Sequence, residues 1–255
     1  MGGVSHTHLV IIPSYNTGAR LVRTVTEALN HWRPVLVVID GSTDASDAPL
    51  DALAQAEPGL KIIRRTRNGG KGAAVLTGLR AAMADGFTHA LVMDADGQHP
   101  AAEIGGFMTD SQNHPDSMIL GLPLFDGTAP RIRLWGRKLS NLLVRFETGE
   151  PIGDALFGFR VYPAAPLHAV MADSCHMRRY DFDTESVVRL CWRGVPLRSH
   201  QAPVRYFRAD EGGVSHFRYG RDNFCLAAMH ARLLAAMLRR FRPSGALRRF
   251  KPYRH

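Results

Sequence analysis

The stretch "LVMDADGQHP", residues 91–100, places acidic and amide side chains directly after an apolar run. Asp94 and Asp96 are two like charges, and Gln98 and His99 follow them closely. One interpretation is structural, because Asp, Gly and Pro end strands and begin turns. The other is a site for a divalent cation, because hard cations take carboxylate and amide oxygens as ligands. The spacing alone leaves both interpretations open.

Polar segments follow three other apolar runs in the same way. They are "PSYN" at 13–16, "DGSTD" at 40–44 and "RNGGKG" at 67–72. Between these runs the apolar residues take helical spacing, and strands that alternate with helices predict a parallel α/β sheet with right-handed crossovers. Ligands of such sheets bind beyond the carboxyl ends of the strands. We therefore expect all of the candidate chemistry to fall on one edge.

Hydrophobic periodicity predicts the elements that carry these segments. Strands are expected at 8–15, 34–44, 60–65, 88–96, 118–123 and 202–208, with one more after the Gly-rich loop that begins at 149. Helices are expected at 50–56, 70–86, 131–147, 181–194 and 226–238, and a further one is expected after a cap at Asn16 or Thr17. Residues 226–241 form an amphipathic stretch, and a basic tail follows it.

Composition sets limits on the class of protein. A chain of 255 residues with 45% apolar content can bury a full core. It has no run of eighteen apolar residues, and its first residues lack the pattern of a signal peptide. The three cysteines have no CxxC spacing and are interpreted as reduced thiols of a cytoplasmic protein. The formal charge of +9 indicates a polyanionic partner, such as nucleic acid, a phosphorylated substrate or an anionic membrane face.

Several known phosphate and metal motifs do not match. Arg65 stands where a P-loop needs its first glycine, and Gly72 stands where it needs Ser or Thr. No GxGxxG follows the first strand, and His99 occupies the glycine position of a calcium loop. A phosphatase like the haloacid dehalogenases would use Asp94 as its nucleophile. It would need Thr or Val where Gln98 stands, and a motif near the start of the chain, so it remains an alternative only.

Five motifs together resemble family 2 glycosyltransferases, most of all their dolichol-phosphate mannosyltransferase-like branch. They are "IPSYN", "VVIDGSTD", "RNGGKGAAVLTGL", "MDADGQHP" and "GDALFGFRVYP", in the family's order, and the resemblance covers about residues 8 to 220. It implies a GT-A fold, which is a Rossmann-like, mostly parallel sheet with flanking helices. We expect residues 1–222 to form this catalytic domain, with a nucleotide-sugar and metal half at about 8–115 and an acceptor half at about 116–222. Residues 223–255 would then be an amphipathic helix and basic tail.

The resemblance implies a metal and a donor site on the first half. Asp96 and Gln98 match the family's metal ligands, for Mg²⁺ or Mn²⁺, with Asp94 beside them. The residues that match or adjoin the nucleotide-sugar site are Pro13, Tyr15, Val38, Asp40, Asn68, Lys71, Asp94 and Ala95. Arg208 and His216 approximate the family's basic residues on the diphosphate. Ile39 precedes Asp40 where the family often has a second acid, and Thr17 replaces a frequent Glu, so UDP and GDP donors both stay open.

The second half is expected to hold the acceptor. Asp154 and Arg160 match the family's acceptor-side Asp and Gly-Phe-Arg, and we expect them with Asp94 to be the catalytic residues. Arg137 and Arg160 are predicted to bind a lipid phosphate, with ordinary surface charges as the alternative. Asp183 and Glu185 match a stretch beside the donor sugar and are predicted on the acceptor side, although a helix N-cap explains Asp183 equally well. A hydroxyl acceptor would need a general base, for which Asp154 is the candidate, whereas a phosphate acceptor would need none.

The sequence thus predicts a metal-dependent, inverting glycosyltransferase of hexosyltransferase type. It would move a sugar from a nucleoside-diphosphate sugar to a polyprenyl phosphate or another lipid-like hydroxyl. A protein that only binds polyanions would leave the acid-lined strand ends unexplained, so no nucleic-acid partner is expected. The amphipathic stretch at 226–241 is expected to lie on an anionic membrane with its apolar side down, together with the arginines and aromatic residues of the tail, so that the enzyme is peripheral on the inner face. The alternative is that this helix packs on the catalytic domain and that the tail has no such role.

Overall fold

The computed structural model describes residues 4–125, 131–204 and 219–240. Its strands are β1 (His8–Ser14), β2 (Val35–Asp40), β3 (Leu60–Arg65), β4 (His89–Val92), β5 (Met118–Phe125), β6 (Arg160–Pro163) and β7 (Leu197–Val204). Its α-helices are α1 (Arg20–His31), α2 (Ala48–Ala56), α3 (Lys71–Ala84), α4 (Ile104–Asn113), α5 (Arg131–Thr148), α6 (Ala164–Ala172), α7 (Asp181–Trp192) and α8 (Tyr219–Arg240). A short 3₁₀ helix, Ala101–Glu103, precedes α4.

The seven strands form one sheet in the order β3-β2-β1-β4-β6-β5-β7. β1 pairs in parallel with β2 and β4, and β2 pairs in parallel with β3. β6 lies antiparallel between β4 and β5, and β7 is parallel to β5 at the edge. The carboxyl ends of β1, β2, β3 and β4 therefore point to one edge of the sheet. The predicted α/β fold with a mostly parallel sheet is confirmed.

The core lies on both faces of this sheet. Alternate side chains of β1 point to opposite faces, so that Leu9 and Ile11 join one apolar cluster while Val10 and Ile12 join the other. Helices α3, α6, α7 and α8 cover the first face, and α1, α2 and α4 cover the second. Every residue of β1 is buried, which explains why its sequence is a continuous apolar run rather than an alternation.

Small residues let α3 lie close to the sheet. A Cβ built at Gly78 would lie 2.9 Å from Ile11 Cγ2 and 3.1 Å from Val38 Cγ2. The small residues of α3 thus allow the helix to pack closely on the sheet. This packing fixes the position of Lys71 in the first turn of the helix.

The strands and helices named from the sequence are present, with several differences. The predicted cap of α1 at Asn16 or Thr17 is wrong: Ala19 is the N-cap and makes no side-chain bond. The Thr17 hydroxyl instead bonds Ser14 Oγ at 2.9 Å. β7 begins at Leu197, earlier than predicted. α4 and α6 were not predicted, since α4 contains adjacent glycines and α6 is short and follows a proline.

The apolar side of α8 faces the domain. Met229 and Leu233 are fully buried and belong to the cluster that also contains residues of α3 and α7. The expectation that the apolar side of 226–241 lies on a membrane is therefore wrong, and the alternative, a helix packed on the domain, holds. The tail that follows, predicted to dock together with the helix, lies outside the described residues. No helix within the described ranges combines the length and the hydropathy that crossing a bilayer would require.

Candidate active site

The turn after β4 brings Asp94, Asp96 and His99 together. Asp96 Oδ1 accepts the Gln98 backbone N–H at 3.0 Å, and Gly97 turns the chain with a φ of 76°. His99 Nδ1 accepts the Asp94 backbone N–H at 3.0 Å. The structural interpretation of this acidic segment therefore holds in part, because one oxygen of Asp96 builds the turn.

Lys71 joins two carboxylates from distant parts of the chain. Its Nζ lies 2.7 Å from Asp94 Oδ1 and 2.8 Å from Asp183 Oδ2. The side chains of Lys71 and Asp183 are only 12% and 11% exposed, so their ion pair is shielded from solvent, whereas Asp94 is 32% exposed. A Cβ built at Gly158 would lie 2.4 Å from Lys71 Nζ and 3.0 Å from Asp183 Oδ1. The absence of a side chain at Gly158 thus leaves the room that the ammonium group occupies.

The balance of charge in this cluster shifts the pKa values of its members. Burial alone would lower the pKa of Lys71, but the neighbouring Asp183 and Asp94 outweigh it and raise that pKa. Burial would raise the pKa of Asp94, yet Lys71 and His99 hold it below its ordinary value. Burial raises the pKa of Asp183, and Lys71 offsets only part of that rise. Burial and the charge of Asp94 raise the pKa of Asp96 to about 6.

The donor atoms around Asp96 fit a divalent cation in part. Among the described residues no group of three or more His, Cys, Asp or Glu side chains is arranged to hold a metal ion alone. The Asp96 carboxylate and the Gln98 amide are hard oxygen donors, and the raised pKa of Asp96 reflects a negative site that a cation would stabilise. Oxygens of a bound diphosphate and water would have to complete the shell of an ion held there.

The ring of His99 stabilises the turn after β4. Since its Nδ1 accepts an N–H, the neutral ring carries its proton on Nε2, which lies 3.6 Å from Asp94 Oδ2. The ring centroid lies 4.9 Å from that of Phe157 and 5.2 Å from that of Phe159. Burial lowers the pKa of His99 to about 4, so the ring is neutral at pH 7. His99 therefore orients Asp94 and packs against the core.

Asp40, predicted to accept a hydrogen bond from the base or ribose of the nucleotide, instead accepts hydrogen bonds from the protein itself. Its carboxylate accepts the backbone N–H of Gly69 at 3.1 Å and of Gly70 at 2.7 Å, and it is also bonded by the Arg65 guanidinium. Gly70 has a φ of 94°, which an L side chain rarely adopts, and Lys71 follows it. Asp40 thus fixes the loop that delivers Lys71 to the two carboxylates.

The other residues predicted at the donor site lie along the same edge. Pro13 and Val38 are paired across β1 and β2, and both are buried. Tyr15 is half-buried beyond the end of β1, and Asn68 is exposed in the loop after β3. Ala95 is 5% exposed, between the two aspartates of the turn. Their contact with a nucleotide stays a prediction.

On the acceptor half, the Asp154 carboxylate is fully engaged. Its Oδ1 accepts the backbone N–H groups of Leu156 at 2.8 Å and Phe157 at 2.7 Å, and its Oδ2 accepts from Arg137 Nη1 at 2.6 Å. The side chain of Asp154 is 4% exposed. To act as a general base it would have to break the contact with Arg137.

Arg160 is buried beneath the Lys71 cluster. It has no exposed surface, and its Nη1 donates to the backbone carbonyl of Asp183 and to Tyr162 Oη. Its Nε and Nη2 are buried and have no hydrogen-bond partner among the residues that the structure describes. In this conformation Arg160 supports the segment that carries Asp183. Its guanidinium group does not reach solvent, so it does not lie where it could bind a lipid phosphate together with Arg137, as predicted.

Glu185 lies away from the cluster. Its carboxylate is fully buried and is bound by Arg189 at 2.7 Å and by Arg232 at 3.1 Å. It therefore ties α7 to α8, and the sequence did not indicate this because Arg232 follows 47 positions later. Arg208 and His216, predicted on the diphosphate, lie outside the described residues.

Sequence reasoning missed two residues that shape the site. Arg65 was considered only as a mismatch to a P-loop, yet it bonds Asp40. Gly158 was read only as part of a family motif, although the cluster depends on its lack of a side chain. The positive φ of the loop glycines is predictable from their type, but a close approach between distant segments is not.

Comparison with known proteins identifies the family. The model of glycosyl transferase family 2 matches residues 9–170. The chain is 32% identical to a polyprenol monophosphomannose synthase of Mycolicibacterium smegmatis over 195 residues, which cover 73% of this chain and 71% of that protein. It is 27% identical over 220 residues to an undecaprenyl-phosphate mannosyltransferase of Micrococcus luteus, covering 80% and 85%.

Solved structures share the fold. A glucosyl-3-phosphoglycerate synthase of Mycobacterium tuberculosis, solved with Mn²⁺, UDP and glucosyl-3-phosphoglycerate, superposes with a TM-score of 0.62 at 17% identity, covering 92% of this chain and 79% of that one. A mannosyltransferase of Pyrobaculum calidifontis, solved with GDP-mannose and Mn²⁺, gives a TM-score of 0.60 at 16% identity, covering 92% and 67%. The predicted GT-A fold is confirmed, and neither fold nor relatives support the phosphatase alternative. The chain belongs to glycosyl transferase family 2, in its dolichol-phosphate mannosyltransferase-like branch, and is a glycosyltransferase.

Proposed function

We propose that this enzyme transfers a hexose from a nucleoside-diphosphate sugar to a polyprenyl phosphate, with a divalent cation at Asp96 and Gln98. The observation that carries the proposal is the cluster of Asp94, Lys71 and Asp183 directly beside Asp96, at the carboxyl edge of the sheet. A departing diphosphate needs cationic neutralisation. Because the Lys71 ammonium group is already paired with two carboxylates, this neutralisation would come from a divalent cation on the oxygen donors of Asp96 and Gln98.

The protein's own groups would orient the donor. Asp40 fixes the loop after β3, and Lys71 in turn holds Asp94 and Asp183 in place with bonds of 2.7 and 2.8 Å. Side chains fixed in this way lose little entropy when a substrate binds, which favours a precise approach of the reacting atoms. A divalent cation, Mg²⁺ or Mn²⁺, would supply charge neutralisation to the leaving diphosphate.

The state of Asp154 favours a phosphate acceptor. A hydroxyl acceptor must lose a proton during attack, whereas a phosphate monoester is already ionised at pH 7. Asp154, the candidate base, already accepts three hydrogen bonds, one of them from Arg137. The related enzymes of M. smegmatis and M. luteus are named for polyprenol and undecaprenyl-phosphate acceptors. We therefore assign a polyprenyl phosphate, and leave the sugar and the base open.

Substitution of Asp96 tests the donor and metal half of this proposal. We expect Asp96→Ala to abolish Mn²⁺-dependent binding of nucleotide sugar, measured by isothermal titration with GDP-mannose and UDP-glucose. The fold should survive, because Asp96 lies in a turn beyond β4. Its raised pKa means that the folded state does not favour its negative charge, so removing the carboxylate sacrifices no stabilising ion pair. Unchanged affinity with an unchanged metal requirement would refute the metal assignment.

Substitution of Asp154 tests the acceptor half. Asp154→Asn should keep transfer to a short-chain polyprenyl phosphate within about tenfold of the wild type, because no proton has to be removed. Unfolding in denaturant should be measured in parallel, since the change weakens the contact with Arg137. A loss of about a hundredfold or more in kcat, with the fold intact, would instead make Asp154 a base and the acceptor a hydroxyl.

A further inference from the structure

A hydrogen-bonded chain of three side chains links α5 to α8. Ser140 Oγ lies 3.1 Å from His230 Nε2, and His230 Nδ1 lies 2.9 Å from Glu147 Oε1. Both distances are those of ordinary hydrogen bonds. Ser140 and Glu147 belong to α5 and His230 belongs to α8, so two packed helices supply the three groups. The proposed sugar transfer uses none of them.

The chemistry of the three groups assigns their protons. A carboxylate only accepts hydrogen bonds, so the proton between His230 and Glu147 lies on Nδ1. In the neutral ring Nε2 then carries a lone pair, and the Ser140 hydroxyl donates to it. A serine that donates to a histidine, which a carboxylate orients in turn, is the arrangement that activates a nucleophilic hydroxyl.

Glu147 is placed to stabilise the charge that forms on the ring. Its side chain has no exposed surface, and that of His230 is 8% exposed. Its backbone carbonyl accepts from Trp192 Nε1 at 2.8 Å, which ties it to α7. Its Oε2 is buried and has no hydrogen-bond partner among the described residues. When His230 takes the serine proton, the imidazolium therefore faces a carboxylate whose charge is shielded from water.

Ser140 is the member of the chain that a substrate can approach. It is half-buried, and helical side chains lean toward the N-terminal turn, over the residues three and four positions earlier. For Ser140 these are Arg137 and Gly136. Gly136 is exposed, and a Cβ built there meets no atom of the described residues within 4 Å. The lack of a side chain at Gly136 therefore leaves room beside the hydroxyl.

We propose that Ser140 is the nucleophile of a second active site, which cleaves carboxylic esters between α5 and α8. Ser140 Oγ bonds to the ester carbonyl carbon while His230 Nε2 takes the hydroxyl proton. The tetrahedral adduct then breaks its bond to the alcohol oxygen, and the alcohol leaves with the proton from His230. Water, activated by the same His230, cleaves the acyl-serine, which releases the carboxylic acid and restores the hydroxyl.

The surroundings of Ser140 favour an activated ester over an amide. The N–H groups in the middle of a helix are bonded within it, so Ser140 offers no backbone donor of its own to an oxyanion. The rate gain then comes from the acid–base pair, about 10²–10⁴-fold over water. Such a gain suits an ester whose alcohol leaves readily. The acyl-serine is itself a less reactive ester, so it should accumulate.

A second serine–histidine pair in the chain lacks these features. Ser111 Oγ lies 3.1 Å from His8 Nε2, the same distance as in the pair of Ser140. The other ring nitrogen of His8 bonds the Thr7 hydroxyl at 2.9 Å rather than a carboxylate, and Ser111 is fully buried. Ser111 should therefore stay unreactive, and it serves as an internal control.

Burst kinetics with p-nitrophenyl acetate and labelling with a fluorophosphonate test the proposal on the full chain. The wild type should release about one equivalent of p-nitrophenol in a burst. Mass spectrometry of its peptides should place both adducts on Ser140 and not on Ser111. Ser140→Ala should abolish the burst, and His230→Gln should slow it by about a hundredfold or more.

Three results would overturn the proposal. The first is a wild type that unfolds cooperatively in denaturant yet forms no adduct on Ser140, which would leave the three side chains as a link between two helices. The second is an equal burst in Ser140→Ala, and the third is an adduct on Ser140 that forms at the wild-type rate in His230→Gln. Adduct mapping needs only the wild type, so it decides the question even where a variant fails to fold.

Metal removal separates this site from the proposed sugar transfer. Ester cleavage at Ser140 uses only protein groups and water, so the burst should persist when EDTA removes the metal. Sugar transfer should stop under the same conditions, and Ser140→Ala should transfer sugar as the wild type does. A burst that requires Mn²⁺ would overturn the assignment to Ser140, whereas a failure of sugar transfer alone would leave it standing.

Discussion

Replacement of Gly158 by alanine should disrupt the Lys71 cluster selectively. The added Cβ would lie 2.4 Å from Lys71 Nζ, whereas non-bonded contacts of this kind need about 3.5 Å. The ammonium group must therefore move by about 1 Å. Its bonds to Asp94 and Asp183 are 2.7 and 2.8 Å long, so a shift of this size along either bond would stretch it beyond about 3.5 Å, where a hydrogen bond is lost.

The expected cost is about 1 to 3 kcal/mol of the free energy of unfolding, the usual range for overpacking a tight site. Donor binding should weaken by about two- to tenfold if half of that strain appears in the bound state. Denaturant unfolding and isothermal titration with nucleotide sugar and Mn²⁺ would measure the two effects. Gly105→Ala in α4 is the control, because a Cβ there meets nothing within 4 Å. Wild-type stability and affinity in Gly158→Ala would refute the role of the cluster.

Two further predictions concern charge. Lys71→Met should destabilise the fold by about 3 kcal/mol, because it leaves the shielded carboxylate of Asp183 and the partly exposed one of Asp94 unpaired. Adding Asp183→Asn should recover about 1 kcal/mol or more, and additive effects in denaturant unfolding would contradict this coupling. Burial, with a smaller contribution from the stacked His89, lowers the pKa of His8 from 6.5 to about 4. Between pH 4 and 6.5 the unfolded chain therefore binds a proton at His8 that the folded chain does not bind. The contribution of His8 to the free energy of unfolding falls by about 3 kcal/mol as the pH drops from about 6.5 to 4. Unfolding of His8→Gln should depend less steeply on pH in that window, and an identical slope would refute the assignment.

The sequence predicted the edge of the sheet better than the contacts made there. Apolar runs that end in Asp or Gly fix where strands stop, and parallel pairing then brings Asp94 and Lys71 to one edge although 23 positions separate them. The partners of Asp154 and Glu185 were not predictable in this way. Arg137 and Arg232 reach them from other helices, and helix packing is set by side-chain fit rather than by a local pattern.

The outer face of α5 illustrates the same limit. The sequence indicated a helix with a basic face over 131–147, but it did not indicate which residues the domain would leave uncovered. The expected membrane contact was assigned instead to the amphipathic stretch at 226–241 and the basic tail after it. In the structure, α8 turns its apolar side to the core, and the exposed apolar side chains of α5 remain without a covering element among the described residues.

The central claim is tested most directly by the product of a single transfer reaction. The wild-type enzyme would be incubated with Mn²⁺, labelled GDP-mannose or UDP-glucose, and either a short-chain polyprenyl phosphate or the matching polyprenol. The account predicts a lipid-linked phosphosugar from the phosphate acceptor alone, and none when the metal is chelated. Transfer to the polyprenol but not to its phosphate, or full transfer without metal, would contradict it.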